Sequence, residues 1–147
     1  MAELRIVSVG DDDTLLDWQR VHNEIIPTAP LSVEDVRGRV TRHVLEVAYD
    51  GDVLVGNSTV RPPSEESAAA TVIARVLPEY RRRGFGEAIY QRCREQAREL
   101  GGDGLETHIL ASNEDGLRFA KAHGFVELET YLLPGDTIPF VELRLDE

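Results

Sequence analysis

The sequence predicts a single α/β domain over residues 1–147, with a mixed, mostly antiparallel sheet of about seven strands and four helices. The first observation behind it is that short segments rich in β-branched residues alternate with segments whose apolar residues recur at helical spacing. The second is an almost continuously apolar segment, residues 69–77, which lies mid-chain and precedes the longest helical pattern. Together they predict the element order β-α-α-β-β-β-α-β-α-β-β.

Composition and charge exclude several classes of protein. Apolar residues make up 41% and charged residues 29% of the 147-residue chain, as in folded rather than disordered proteins. The net charge of -11 would repel a nucleic-acid backbone, and no segment is apolar enough to span a membrane. Cys93 is the single cysteine, so no intramolecular disulfide can form, and no Cys/His pattern for a metal surrounds it. We expect a cytoplasmic protein, alone or as a small oligomer such as a homodimer.

The first third of the chain predicts one strand and two helices. Residues 4–9 alternate well enough between apolar and polar side chains for a strand. Apolar side chains then recur at helical spacing over residues 15–25, and Pro27 ends this pattern. Ser32 is the predicted N-cap of the second helix, with Asp35 at the capping-box position three residues later.

The middle of the chain predicts a hairpin and a central strand. Residues 44–49 and 53–60 are rich in β-branched side chains, and Asp50 and Gly51 between them favour a tight turn. Two antiparallel strands should result. The apolar segment 69–77 reads as a strand covered on both faces by other elements.

The last third predicts a long helix and then alternating shorter elements. Apolar residues repeat at helical spacing from Phe85 to Leu100, and the glycine pair that follows ends this helix. The remaining predicted elements are strands at 105–110, 125–133 and 138–145 and a helix at 114–122.

The turn before the long helix has the chemistry of an anion site. A buried strand ending at Leu77 leads through a turn into a helix that starts at Gly84 and Gly86. The free N–H groups of a helical first turn attract anions, and glycine lets a phosphate approach the backbone. The same turn carries three consecutive arginines, Arg81, Arg82 and Arg83. A solvated turn is the structural alternative, and the pattern is neither a P-loop nor a dinucleotide-binding fingerprint.

These residues resemble the GCN5-related N-acetyltransferase (GNAT) family. Its phosphate-binding motif, Q/R-x-x-G-x-G/A, is matched by residues 81–86, and the frequent Val-x-Pro-x-Tyr-Arg before it by residues 76–81. A second family element, an Asn followed by a short helix and Gly-Phe, is matched by Asn113 and by Gly124 and Phe125. The element order fits the whole family fold, and the specific matches lie between residues 76 and 125.

The resemblance implies acetyl-CoA as co-substrate, bound where the fourth and fifth strands splay apart. Main-chain groups at the end of the fourth strand would pair with the pantetheine arm, and amides of the following turn would hold the pyrophosphate. Asn113 would lie near the thioester arm, although it could equally be a helix N-cap. The implied cofactor-binding residues are Val76, Leu77, Arg81, Arg82, Arg83, Gly84, Phe85, Gly86, Glu87 and Asn113.

The resemblance leaves the catalytic residues less well defined. The N–H of Leu77 is the expected donor that polarises the thioester carbonyl, as a fourth-strand amide does in the family. The tyrosine that usually acts as general acid is replaced by Ala120. The substitutes are Ser112 beside Asn113, His123, Tyr131 on a later strand, or solvent. His108 could face the cleft, but a lone strand histidine is more often structural.

The acceptor is expected to be a small-molecule amine or a peptide amine. By family analogy the loop after the first helix borders the acceptor pocket, close to His22 and Asn23. The acidic composition would suit a cationic acceptor, and Glu24 and Glu34 could recognise one, although each is more often a solvated helix charge.

Three functions fit these patterns. The leading one is an N-acetyltransferase in which a primary amine attacks acetyl-CoA directly. The second is a non-catalytic module that binds or senses acyl-CoA, which Ala120 favours. The third is an anion-binding domain that takes a nucleotide, which the missing nucleotide motifs disfavour.

Overall fold

The computed structural model describes residues 4–146, so the two ends of the predicted domain lie outside the described residues. Within that range seven strands form one sheet, and four α-helices cover its two faces. The elements are β1 (Leu4–Ser8), α1 (Asp12–Ile25), α2 (Val33–Val40), β2 (Val44–Asp50), β3 (Val53–Arg61), β4 (Ala70–Val76), α3 (Phe85–Glu99), β5 (Leu105–Leu110), α4 (Glu114–Ala122), β6 (Val126–Tyr131) and β7 (Phe140–Leu145).

The sheet confirms the predicted mixed, mostly antiparallel topology. Its strands lie in the order β1-β2-β3-β4-β5-β7-β6, and β4 and β5 are the only parallel neighbours among the described strands. The predicted element order is also confirmed. Sequence reasoning missed one short element, a single 3-10 turn over Pro78–Tyr80 between β4 and α3.

The helix starts predicted from capping residues are confirmed in α1 and α2. Ser32 accepts the Asp35 N–H at 3.1 Å, and the Asp35 carboxylate accepts the Ser32 N–H at 3.0 Å, which completes a capping box. Asp11 and Thr14 form the equivalent pair before α1. Trp18 of α1 is fully buried and donates its indole N–H to the Ser58 carbonyl at 3.0 Å. This layer therefore packs directly on β3.

The β2-β3 hairpin is one residue out of register with the sequence prediction. Asp50 pairs with Val53, so the central turn residues are Gly51 and Asp52 rather than Asp50 and Gly51. Gly51 has φ 62°, which only glycine adopts at low cost, and this requirement fixes its place inside the turn. The sequence correctly placed Gly51 in the turn, but its partner there is Asp52 and not Asp50.

The central strand β4 is covered on both faces, as predicted. The Arg75 guanidinium lies 5.8 Å from the centre of the Trp18 ring of α1. The next residue, Val76, faces the opposite side, where its methyl group lies beside Gly86 of α3. Helices α1 and α2 thus pack on one face of the sheet, and α3 and α4 pack on the other.

Candidate functional site

A cleft opens where β4 and β5 separate. These strands pair at Ala70 with Leu105 and at Thr71 with Glu106, and beyond these residues the ladder ends. A cavity of about 470 Å³ fills the gap and is lined by both strands and by the starts of α3 and α4. The separation leaves one edge of a central strand open to a ligand.

The open edge of β4 corrects one expectation. The Leu77 N–H donates to the Val55 carbonyl at 2.8 Å, so it belongs to the β3 ladder and cannot polarise a ligand in the cleft. Hydrogen-bonding direction alternates along an antiparallel strand, so the backbone of Val76 points into the gap instead. The Val76 carbonyl there accepts a hydrogen bond from Arg81 Nε at 2.9 Å. The amide of Val76 is therefore a donor on this edge.

The entrance to α3 has the backbone geometry of an anion site. Gly84 is the N-cap in a left-handed conformation, φ 84°, and has no side-chain cap. Because Ala88 is the first residue whose N–H bonds back to Gly84, at 3.2 Å, the amides of Phe85, Gly86 and Glu87 have no intrahelical acceptor. These amides and the helix dipole favour a negative charge at this point.

Backbone strain accompanies this turn. Arg82 has φ 64°, and it is the one non-glycine residue with positive φ in residues 4–146. Such a conformation costs about 1–3 kcal/mol and tends to persist where a binding loop requires it. Two left-handed residues, Arg82 and Gly84, thus lie directly before the first-turn amides of α3.

The three arginines of the turn have different surroundings. Arg81 is held by the Val76 carbonyl and by Asp115, whose carboxylate lies 3.2 Å from it. Arg83 lies over the Tyr80 ring, 5.8 Å from its centre. Arg82 lines the cavity without an ion pair among the described residues. A ligand phosphate would therefore meet Arg82 directly, whereas Arg81 would have to exchange partners.

The start of α4 borders the other side of the cleft. Asn113 caps this helix, accepting the Gly116 N–H at 3.0 Å, and it also lines the cavity. Ser112 lines a smaller cavity of about 300 Å³ next to it. Ala120 is buried and contributes a methyl group to the main cavity. The helix therefore presents an amide side chain at the cleft, but its Ala120 position supplies no proton.

Comparison with known proteins identifies the family of this fold. A family model described as "Acetyltransferase (GNAT) family" matches residues 12–125. The chain belongs to this acetyltransferase family. No curated protein sequence matches the chain.

Solved structures of other family members share the fold. Arabidopsis thaliana NAA60, in complex with a bisubstrate analogue, has a TM-score of 0.79 at 19% identity, with 98% of each chain covered. A ribosomal-protein-alanine N-acetyltransferase from Brucella melitensis has a TM-score of 0.74 at 19% identity, covering 97% of this chain and 99% of that one. The structure of yncA from Salmonella typhimurium, which contains its cofactor acetyl-CoA, has a TM-score of 0.75 at 14% identity, covering 97% of this chain and 93% of that one.

A histidine and a tyrosine meet beside the cleft of this acetyltransferase domain. His108 of β5 lines the cavity, and its Nδ1 lies 2.9 Å from the Tyr131 hydroxyl. The Tyr131 ring stacks on Phe140 at 5.7 Å, which fixes the hydroxyl in place. Burial and then the positive charge of Arg61 lower the pKa of His108, so its imidazole is neutral at pH 7. A neutral imidazole can accept a proton.

The position of His108 at the cleft, beside Tyr131, was not expected to be functional from the sequence. A lone strand histidine was expected to be structural, because nothing in the sequence shows that β6 folds back to place Tyr131 beside it. The strand parity did contain a clue, since Glu106, His108 and Leu110 alternate with residues that pack toward α3.

Two carboxylates accompany His108 on the same sheet face. Glu142 of β7 lies opposite His108 in the ladder, and burial raises its pKa, as do Glu106 and Glu129. One ligand atom each from Glu106, His108 and Glu142 lies within 4.8 Å of the others, a spacing that could hold a cation. Glu106, however, already accepts hydrogen bonds from Ser67 at 2.9 Å and Arg144 at 3.2 Å. The cluster is thus neutralised in part by an arginine.

The residues of α1 and α2 that were expected near the acceptor are mainly structural. Asn23 bonds both the N–H and the carbonyl of Leu31, and so holds the loop between α1 and α2. His22 is buried against the Trp18 ring, and burial lowers its pKa to about 3. Glu34 is exposed and pairs with Arg37 at 2.9 Å. Glu24 lines only the smaller cavity. No helix in the described part of the chain is long and apolar enough to cross a membrane.

Proposed function

We propose that this protein is an N-acetyltransferase that uses acetyl-CoA as co-substrate and transfers its acetyl group to a primary amine by direct attack. The observation that carries the proposal is one continuous cleft, which runs from the free amides of α3 to the open edge of β4. Its two ends match the two ends of the co-substrate, a pyrophosphate and a thioester on a pantetheine arm. Family membership and the neighbour that holds acetyl-CoA support it.

The donor end would bind through main-chain groups. The amides of Phe85, Gly86 and Glu87 would receive the pyrophosphate, with Arg82 as the charged partner. The backbone of Val76 would pair with the pantetheine amides as an added strand does. Glu87 contributes only its amide, because its carboxylate is held by His123 at 2.7 Å.

The chemical step needs a polarised carbonyl and a proton acceptor. The amide of Val76 would donate to the thioester oxygen as the amine nitrogen attacks the carbonyl carbon. A carbon–nitrogen bond forms, the carbon–sulfur bond breaks, and His108 takes the proton from nitrogen. With a proton on Nδ1 shared with Tyr131, the Nε2 of His108 keeps its lone pair for this role.

The leaving thiolate would recover its proton by a route that avoids α4. Ala120 has nothing to donate, and His123 is bonded to both Phe119 and Glu87. The proton accepted by His108 therefore returns to sulfur through His108 itself or through water. Tyr131, predicted as catalytic, is a positioning residue in this scheme, because it acts by orienting His108. Asn113 shapes the cleft, and Ser112 lies beside it.

Thiol release separates this proposal from a non-catalytic CoA-binding module, which the methyl group of Ala120 favours. Purified protein is mixed with acetyl-CoA and a panel of primary amines, and free thiol is followed over time. We expect saturable thiol release with at least one amine. Acetyl-CoA that protects against heat without turnover on any amine would favour the module, and absence of protection would exclude both.

A further inference from the structure

Three arginines gather on the α1 side of the sheet without a carboxylate partner. Arg39 lies in α2, Arg61 ends β3, and Arg75 lies near the end of β4. Within residues 4–146, none of them forms an ion pair. This basic cluster (Arg39, Arg61 and Arg75) occurs in a chain of net charge -11 with 27 acidic residues. A local excess of positive charge at this cluster is therefore not expected from the net negative charge of the chain.

Strand parity puts the basic cluster on the acceptor side of the sheet. Arg75 packs against Trp18 of α1. Arg61 pairs with Thr71 of β4, and Thr71 lies on the same face of that strand as Arg75 because their positions in the sequence differ by an even number. The α3 entrance lies on the other face, where Gly86 meets Val76. The cluster is thus separate from the place proposed for the CoA pyrophosphate.

Polar atoms around the basic cluster lack partners as well. The Nε of Arg61, the Oγ1 of Thr59 and the Nδ1 of His43 are buried without a hydrogen bond among the described residues. Thr59 is 0% exposed and lies on the same strand face as Arg61, two residues away. Buried groups of this kind normally have a partner in protein, water or a ligand. An oxyanion could accept from the Nε–H of Arg61.

Burial and then like charge lower pKa values in and beside the cluster. Burial lowers the pKa of Arg75 to about 9, and Arg39 and Arg61 contribute to the shift. Burial likewise lowers the pKa of His43 to about 4, helped first by Arg61 and then by Arg39. A buried charge without a counter-charge destabilises a fold. A bound anion would relieve this cost.

The basic cluster adjoins the chemical end of the cleft. Arg75 lines the main cavity between Ala74 and Val76. Arg61 pairs with Thr71 of β4, which pairs with Glu106 of β5, two residues before His108. After burial, the charge of Arg61 is the next cause that lowers the pKa of His108. An anion held by Arg61 would therefore bind on the side from which an amine reaches His108.

We propose that the acceptor is an amine that also carries an oxyanion, a carboxylate or a phosphonate, and that Arg61 binds this group. The inference rests on the proposed function and names the substrate class of the same site. It reverses the expectation from overall composition, which favoured a cationic acceptor recognised by Glu24 or Glu34. An acceptor with both groups would be oriented by its anion while its amine faces His108.

Calorimetry on protein saturated with CoA tests the inference without requiring turnover. The probes are a panel of amino acids, the carboxamides of the same amino acids, and the matching aminophosphonates. We expect at least one amino acid or aminophosphonate to bind about tenfold or more tightly than its carboxamide, the usual size of a charged hydrogen bond. The two anionic series distinguish a carboxylate site from a phosphonate site. Equal or tighter binding of the carboxamides, or no binding of any probe, would overturn the inference.

Substitutions show whether Arg61 is responsible. Arg61→Gln should remove the preference for the anionic probe, Arg61→Lys should keep part of it, and Arg20→Gln should keep all of it. Arg20 is an exposed arginine of α1, so it controls for loss of one positive charge. A preference that survives in Arg61→Gln would contradict the inference.

Thermal unfolding without ligand detects a merely structural role for Arg61. Because its charge lacks a counter-charge, Arg61→Gln should leave the melting temperature unchanged or raise it. A clear fall would show that Arg61 supports the fold instead. Acetylation of neutral amines without an anion preference would leave the proposed function standing and reject only the inference. Anion binding that depends on Arg61, with no thiol release, would support the inference about the anion site and reject the proposed acetyltransferase function.

Discussion

At the scale of single residues, His108 takes its protonation state from its surroundings. Its imidazole lies between the Tyr131 hydroxyl and the carboxylates of Glu106 and Glu142. Glu106 raises the pKa, but burial and Arg61 lower it by more, so the net direction is downward. The base form of His108 therefore persists to lower pH than that of an exposed histidine, whose pKa is about 6.5.

Replacing His108 should impair turnover without affecting donor binding. We expect His108→Gln to lower kcat by about 100-fold or more, the usual contribution of a general base. The affinity for CoA should not change, because His108 lies away from the α3 entrance. Tyr131→Phe keeps the ring and removes the hydrogen bond, so its loss should be smaller. If kcat of His108→Gln stays within a few fold of wild type, another group is the proton acceptor.

The pH dependence of His108 gives a second prediction at this scale. The lowered pKa places the acidic limb of kcat/KM below pH 6.5, with activity lost as the pH falls through the pKa. Arg61→Gln removes one cause of the shift, so the pKa of His108 should rise in that variant. NMR titration of the imidazole measures this directly. An unchanged pKa would mean that Arg61 does not face His108.

The correction at Leu77 shows where sequence reasoning stops at the residue scale. The family resemblance implies that an amide near the end of β4 faces the cleft. Whether that amide is Leu77 or Val76 depends on a one-residue parity, which is set by pairing with β3. That parity cannot be read without the register of the hairpin. The same applies to Tyr131, whose neighbour His108 is 23 residues away in sequence.

At the scale of elements, local chemistry predicts the structure well. The capping pair of α2, the glycine of the hairpin and the glycine entrance to α3 all depend on backbone preferences within a few residues. The ends of β6 and β7 were predicted too long, since 132–133 and 138–139 are outside the strands. Pro134 and Pro139 donate no backbone hydrogen bond, so the apolar residues beside them do not extend the ladder.

The entrance of α3 gives a prediction that separates binding from folding. A Cβ at Gly86 would make only ordinary contacts, 3.7 Å to Val76 and 3.8 Å to Phe119. Valine adds two methyl groups beyond this Cβ, so thermal unfolding of Gly86→Val without ligand checks that the fold is kept. The added side chain would stand where a phosphate must approach the amides, so CoA affinity should fall at least about tenfold. Gly84→Val should also lose affinity, and its φ of 84° adds strain.

Gly38 of α2 provides the matched control for these variants. No atom lies within 4 Å of a Cβ built there, and the residue is inside a helix. Gly38→Ala should therefore stabilise the protein by about 0.5–1 kcal/mol and leave CoA binding unchanged. Calorimetry with CoA and urea unfolding measure the two quantities. Normal CoA binding by Gly86→Val would show that the pyrophosphate lies elsewhere.

At the scale of the whole molecule, the net charge of -11 conceals a separation of charge. The composition disfavours a nucleic-acid partner, but it says nothing about how charges divide between the faces of the sheet. Arg61 ends β3 and Arg39 lies in α2, yet burial and then the charge of Arg61 lower the pKa of Arg39, an effect that their separation in sequence hides. Long-range assembly is thus what sequence reasoning lacked, both for the basic cluster and for the pair of His108 with Tyr131.

The packing of α1 on the sheet makes stability depend on pH through His22. This side chain is 4% exposed and stacks on Trp18, and burial followed by the charge of Arg75 lowers its pKa to about 3. In the unfolded chain the pKa is about 6.5, so the unfolded state binds a proton that the folded state excludes. The contribution of neutral His22 to the free energy of unfolding is therefore fully present above pH 6.5 and is lost as the pH decreases toward 3. Between pH 7 and pH 5 the contribution of His22 is about 2 kcal/mol.

Urea unfolding of wild type and His22→Phe at the two pH values isolates this term. Phenylalanine keeps the stacking on Trp18 but cannot take up a proton. Between pH 7 and pH 5, the free energy of unfolding of His22→Phe should therefore fall by about 2 kcal/mol less than that of wild type. His43 and the carboxylates titrate alike in both proteins and cancel in the comparison. Equal losses in the two proteins would mean that His22 is protonated in the folded state. The α1 layer would then tolerate a charge beside Arg75, contrary to the burial that defines this face of the sheet.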